Sequence, residues 1–276
     1  MTRSSRASAL GLALVLAIAP WGSSLQAAPI SPIAATPARE TSAAGVSAAT
    51  ASTSIVAAAL PLSGLIIAID PGHNGGNAAH PAAMNRLVFI GNGYIKCTSV
   101  GTSTRSGFPE HRMVFAVASR LKLLLTSLGA TVYMTRTTDT GFGPCADYRG
   151  RFGTRLHAAL TVSIHGDGAV SSARGFFVMR PGLVRGYTDD IYTSSYRLAI
   201  HVRDGLKSVG LPIANYYATN GLKTRTDFGS FNLSDIPVVM VELGNMKNST
   251  DAARMTTWAG RDRYARGLLA GIRTYL

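Results

Sequence analysis

Two histidines and two glutamates stand where hydrolytic metal chemistry would need them. Three apolar, β-rich runs end on such residues: Leu65–Ile69 leads into Asp70-Pro71-Gly72-His73, Leu160–Ile164 into His165-Gly166-Asp167-Gly168, and Pro237–Val241 into Glu242-Leu243-Gly244-Asn245. Glu110 opens a long amphipathic stretch. Two imidazoles and one carboxylate form a recurrent ligand set for catalytic zinc, with one position left for water. A second carboxylate, off the metal, can take a proton from that water and pass it to a leaving nitrogen. On this reading His73, Glu110 and His165 are the ligands and Glu242 is the base. Glutamate usage sharpens it. The chain has only three, Glu40, Glu110 and Glu242, against 27 lysines and arginines, so glutamate does not serve solubility here.

Taken singly, each residue also has an ordinary reading. A histidine after a strand is commonly a loop or capping residue, and Asp70-Pro71-Gly72 is a common turn signal. His111 would point about 100° away from Glu110 on a helix and reads as structural or supporting. His80, His157 and His201 have no motif around them. Asp167 would either orient a ligand imidazole or cap the following segment. The chain has no His-Glu-x-x-His, no Cys-x-x-Cys and no Gly-x-Ser-x-Gly motif.

The elements that must position these residues alternate along the chain. From Glu110 to Leu128, Met113, Val114, Val117, Ala118, Leu121, Leu124, Leu125 and Leu128 make one helical face, stopped by Gly129. Thr131–Thr135 reads as a strand, Asp147–Leu156 as a helix, and Ile191 to Leu206 as another helical stripe. Met255 to Ile272 reads as a closing helix. Alternation of β and α with unbroken apolar strands predicts an α/β fold, a twisted, mixed but largely parallel sheet with helices on both faces. Ligands of open α/β sheets sit outside the carboxyl ends of the strands. If the three runs are parallel neighbours, His73, His165 and Glu242 converge there. The loop-rich stretches 74–108 and 207–235 would wall a cleft.

Composition bounds the setting. The 276 residues carry a formal charge of +13, with 46% hydrophobic residues. Such a balance suits an anionic partner: nucleic acid, an acidic membrane face or a cell-wall polymer. The amino-terminal layout narrows that choice. Arg3 and Arg6 precede an apolar run from Ala7 to Pro20, broken only by Ser8 and Gly11, with small residues following at Gly22, Ser23, Ser24, Ala27 and Ala28, which is the pattern of a secretory signal peptide in 1–27. An uncleaved anchor is the alternative, although the run falls short of the roughly 20 residues of a membrane span. Cleavage would remove two arginines and no acids, taking +13 to +11. A basic exported protein matches a wall or membrane surface better than nucleic acid. Residues 28–63 are Ala, Ser, Thr and Pro with few large side chains, the composition of a disordered tether, and the folded part is expected over 64–276. In an oxidising compartment the two cysteines, Cys97 and Cys145, are expected to form one disulfide; two buried thiols are the alternative.

Ile69-Asp70-Pro71-Gly72-His73-Asn74-Gly75, Glu110 opening a helix, Ser163-Ile164-His165-Gly166-Asp167 and Val241-Glu242-Leu243-Gly244-Asn245, in that order, resemble the zinc-dependent N-acetylmuramoyl-L-alanine amidases. The likeness is greatest to the short mycobacterial-type members without a separate wall-binding module. The resemblance implies zinc on His73, Glu110 and His165, with Glu242 as the catalytic glutamate. It also implies hydrolysis of the amide joining N-acetylmuramic acid to L-alanine of the stem peptide. The expected protein is a monomer of the periplasm or cell wall, with peptidoglycan or muropeptides as substrate, no nucleic-acid partner and no membrane span after processing. Gly166 replaces the family's usual alanine, and Asn74 stands where many members have glycine. A zinc peptidase acting on stem peptides and a non-catalytic wall-binding protein are the other readings; the products of a digest separate them.

Overall fold

The computed structural model describes residues 59–276. The expected signal segment and nearly all of the expected tether lie outside the described residues. The fold begins before residue 64. Leu62 is buried in the main core, and its amide donates to the Leu128 carbonyl at 2.9 Å.

Strand β1 (Ile66–Pro71) starts the fold, followed by a short helix α1 (Pro81–Asn85) and a hairpin of β2 (Leu87–Phe89) and β3 (Tyr94–Lys96). Helix α2 (Glu110–Thr126) leads to β4 (Thr131–Met134), α3 (Ala146–Arg155) and β5 (Leu160–Asp167). Next come β6 (Phe177–Pro181), α4 (Tyr192–Ser208), β7 (Leu222–Arg225) and α5 (Gly229–Asn232). The chain closes with β8 (Val238–Asn245), α6 (Ser249–Thr256) and α7 (Trp258–Tyr275). Six strands form one sheet in the order β4-β1-β5-β8-β6-β7. Every neighbouring pair is parallel except β6 against β8. The mixed, largely parallel α/β sheet is therefore as expected, and the three chemistry-bearing strands β1, β5 and β8 are adjacent and parallel.

Alternation along each strand sends side chains to opposite faces. Ile67, Ile69, Leu160, Val162, Ile164, Val239 and Val241 join the main core with residues of α2, α4 and α7. That burial is the principal driving force. The opposite face is less apolar at its centre. There Ala68, Asp70, Thr161 and Ser163 meet α3, and only β6 and β8 carry an apolar patch, of Phe177, Met179, Val238 and Met240 with Phe231 of α5. The expected single closing helix is two. Thr257 ends α6 and its hydroxyl accepts from the Gly260 amide at 3.2 Å, capping α7.

Candidate metal centre

The site is assembled at the carboxyl ends of β1, β5 and β8. Cα pairing sets His165 directly opposite Glu242, and Asp70 opposite Ser163. The turn after β1 brings His73 alongside. Its φ of 56° is left-handed, a strained backbone for a residue with a side chain. Gly72 is required immediately before it: a Cβ there would lie 2.2 Å from Cε1 of His165. Glu110 arrives from the other side as the first residue of α2, where a negative charge is favoured by the helix N-terminus.

His73 Nε2 and His165 Nδ1 each lie 3.0 Å from Glu110 Oε1. One ligand atom from each of the three residues falls within 4.8 Å of the others. Tetrahedral ligands about 2.0–2.1 Å from zinc are about 3.3 Å apart, so this spacing fits such an ion. The surroundings pre-set the donors. Nδ1 of His73 donates to the Ser99 carbonyl at 3.0 Å, which leaves Nε2 with its lone pair. Glu110 accepts from the amides of Thr102 (2.9 Å) and Gly166 (3.0 Å). Gly101, at φ 78°, lets the backbone come close: a Cβ would stand 2.6 Å from Glu110 Oε2 and 2.8 Å from His73 Cδ2.

Glu242 lies across the strand pair from His165. It is partly buried, and its Oε2 is sealed from solvent with no hydrogen-bond partner. Burial pushes its pKa well above the ordinary carboxylate value, and the charges of Glu110 and Asp167 add to the rise. Glu110 moves the other way. Burial alone would raise it, but the imidazoles of His73 and His165 outweigh that and hold it well below the usual range. Two carboxylates this close, one of them orphaned, form a site whose charge a cation would balance. The donor set and the spacing both fit a divalent metal.

The support beneath the turn was not legible as a site. Asp70 is buried and accepts from Thr135 Oγ1 (2.6 Å), Ser163 Oγ (2.7 Å) and the Arg149 guanidinium. Arg149 also donates to the carbonyls of Pro71 (2.9 Å) and His73 (3.0 Å). Arg136 reaches the Pro71 and Gly72 carbonyls at 3.0 and 3.1 Å. Asp70-Pro71-Gly72 carried a turn signal, and nothing marked these two arginines among the 27 basic residues. Asn74 secures the turn further, through its own amide to the Gly143 carbonyl at 3.1 Å.

His111 does turn away, to Asp139 at 2.8 Å, and lies outside the cluster. Asp167 neither orients an imidazole nor simply caps: it accepts the Gly168 amide at 2.7 Å and the Tyr216 hydroxyl at 2.7 Å. At Gly166, a Cβ would press on Met113 Cε at 2.7 Å, so methionine fills the space of the missing methyl. Cys97 and Cys145 are joined in a disulfide. A cavity of about 490 Å³ opens over the cluster. Both loop-rich stretches wall it, with Ile95 to Ser99 and Thr102 from one and Phe228, Gly229 and Ser230 from the other.

With this geometry in place, residues 67–274 match the Amidase_3 family, N-acetylmuramoyl-L-alanine amidase. The N-acetylmuramoyl-L-alanine amidase Rv3717 of Mycobacterium tuberculosis is 39% identical over 218 residues, 78% of this chain and 88% of that one. The crystal structure of the N-acetylmuramyl-L-alanine amidase Ami1 from Mycobacterium smegmatis superposes with a TM-score of 0.73 at 36% identity, over 78% of this chain and 97% of that chain. The corresponding Mycobacterium abscessus structure also gives 0.73, at 37% identity over 78% and 99%.

Proposed function

The chain belongs to the N-acetylmuramoyl-L-alanine amidase family, and from that premise we propose that His73, Glu110 and His165 hold a zinc ion beside Glu242, the general base. The reaction is hydrolysis of the amide between the lactyl group of N-acetylmuramic acid and L-alanine of the stem peptide. The observation that carries this reading is the convergence of three donor atoms within 4.8 Å next to a carboxylate with a sealed, unpartnered oxygen.

Zinc bound there supplies Lewis acidity for the scissile carbonyl and makes water a stronger acid. The chain's own residues do the rest. The Ser99 carbonyl and Arg149, acting on the backbone of His73, fix that imidazole. The Thr102 and Gly166 amides fix the Glu110 carboxylate. Glu242 accepts a proton from the attacking water and returns it to the departing alanine nitrogen, so one carboxylate serves both halves of the transfer. Its raised pKa suits the second half, and the positive charge of a metal would lower it toward the first.

The physiological setting follows from the same reading. The amino-terminal signal layout and the +13 charge support export to the periplasm or cell wall, there to act in wall remodelling, turnover or daughter-cell separation as a monomer. Among the described residues, no helix is long and apolar enough to cross a membrane. The test is a digest of purified peptidoglycan analysed by mass. Free stem peptides with an L-alanine amino terminus are expected, lost on chelation and restored by zinc. Shortened stems still attached to glycan would identify a stem peptidase, and no cleavage would leave a binding protein.

A further inference from the structure

Four carboxylates line the cavity: Asp70, Glu110, Asp167 and Glu242. Imidazoles aside, its cations are Arg149 and Lys96. Arg149 is fully engaged by Asp70 and by the carbonyls of Pro71, His73, Gly143 and Pro144, at 2.9 to 3.3 Å for the carbonyls. Lys96 is different. It is exposed at the end of β3 and pairs with no carboxylate among the described residues. Its backbone is nonetheless well fixed. The next residue is the disulfide-bonded Cys97, whose amide donates to Arg86 O at 2.7 Å and whose carbonyl accepts the Ala146 amide at 2.8 Å. Three residues on, the Ser99 carbonyl holds His73. Lys96 thus stands on a rigid wall of the cavity that also holds the metal-ligand candidates.

We propose that Lys96 is a specificity-determining residue that selects stem peptides bearing a free carboxylate on the residue after L-alanine. This rests on the amidase reading. In stem peptides that residue is a γ-linked D-glutamate whose α-carboxyl is either free or amidated. Its Cα lies one step of about 3.8 Å beyond that of L-alanine, so the group enters the same cavity as the scissile bond. With Glu110 taken up by the metal, a free carboxylate there still meets Glu242 and Asp167, and Lys96 is the side-chain cation left to offset them. An amidated residue has no charge to place and gains nothing from the ammonium. Because Lys96 is solvent-exposed, screening limits the effect; a charge-assisted hydrogen bond of this kind corresponds to a preference of about three- to tenfold.

The experiment measures kcat/KM of the zinc-loaded protein on N-acetylmuramoyl-L-alanyl-γ-D-glutamyl-glycinamide and on its γ-D-isoglutaminyl counterpart, in both of which the γ-carboxyl is already in an amide bond. The wild type is expected to favour the acid about three- to tenfold, through KM. Lys96→Gln should bring the ratio close to one, Lys96→Arg should keep it, and Lys96→Glu should invert it. Far-UV circular dichroism and a cooperative thermal transition report that each variant has folded. A preference that survives in Lys96→Gln, or a wild type indifferent to the carboxylate, overturns the role of Lys96 while leaving the amidase reading intact. Failure of the wild type to release an L-alanine amino terminus from either compound overturns both.

Discussion

At the scale of single residues, two carboxylates of the site have been driven in opposite directions by their neighbours. Glu110 is surrounded by donors and imidazoles and stays ionised, whereas Glu242 keeps one oxygen, Oε2, buried and without a hydrogen-bond partner. Asp70, below them, is purely a support. Burial would raise its pKa, but Arg149 and the hydroxyls of Thr135 and Ser163 outweigh that and leave it lowered. A carboxyl depressed in the folded state contributes stability that is complete above its unfolded value of about 3.9. That contribution is lost as pH falls through the folded pKa, because the unfolded chain takes up the proton first. The urea midpoint should therefore drop as pH falls below about 4, and Asp70→Asn should flatten this dependence. The same variant strands the Arg149 guanidinium in the interior and should cost about 3–5 kcal/mol at neutral pH, read by denaturant titration. His73, His165 and Glu242 were legible because each follows an apolar strand, and Glu110 because it opens an amphipathic helix in a chain poor in glutamate. Arg149 and Arg136 were not, because an arginine inside a helix or loop carries no local sign that its guanidinium will turn inward to backbone carbonyls.

At the scale of elements, the disulfide ties the two supports of His73 together. Cys97 precedes the segment whose Ser99 carbonyl holds the imidazole, and Cys145 precedes α3, which carries Arg149. Replacing both cysteines by serine should lower stability by about 2–4 kcal/mol. Zinc affinity should weaken by about tenfold or more, as for other losses of ligand support; denaturant and competitive metal titrations read the two effects separately. On the far side of the sheet, α4 and α7 approach closely. A Cβ at Gly271 would sit 2.5 Å from Val202 Cα and 2.6 Å from the His201 carbonyl oxygen, both rigid backbone. Gly271→Ala should force the helices apart and cost about 1–3 kcal/mol, measurable as a lower melting temperature. The long amphipathic helices and the buried parallel strands were readable from periodicity. Strand β7, Leu222-Lys223-Thr224-Arg225, was not: it is a short edge strand with two basic residues and no apolar run. The hairpin of β2 and β3 escaped for a similar reason, since Leu87, Phe89 and Tyr94 are left exposed. The break between α6 and α7 was hidden because the apolar spacing continues past Thr257, whose capping role appears only in its hydrogen bond.

At the scale of the whole molecule, charge and topology act separately. Residues outside the described part include Arg3, Arg6, Arg39 and Glu40, so the described part keeps 24 basic and 13 acidic residues, a net +11. Much of that charge lies on exposed arginines and lysines, and its attraction to an anionic wall polymer should be screened by salt over about 10 Å at 0.1 M. Retention on insoluble peptidoglycan should fall between about 0.05 and 0.5 M salt, and a pelleting assay measures it. The sheet order places β1, β5 and β8 side by side, so that His73, His165 and Glu242 meet at the carboxyl ends of these strands while α2 delivers Glu110. That convergence was expected on the condition that the three apolar runs are parallel neighbours, as they are; which helix would brace the turn was not, because it depends on the polar face of Asp70 and Ser163, which local patterning reads as part of two apolar strands.

The proposed division of labour gives the two site glutamates different tasks, one holding zinc and the other moving the proton. It is tested most directly by measuring zinc content and amide hydrolysis together in Glu242→Gln and Glu110→Gln. Glu242→Gln is expected to keep about one zinc per chain while hydrolysis falls by about 10²–10⁴. Glu110→Gln should lose the metal and the activity together. Undiminished hydrolysis by Glu242→Gln, or undiminished zinc binding by Glu110→Gln, would contradict it.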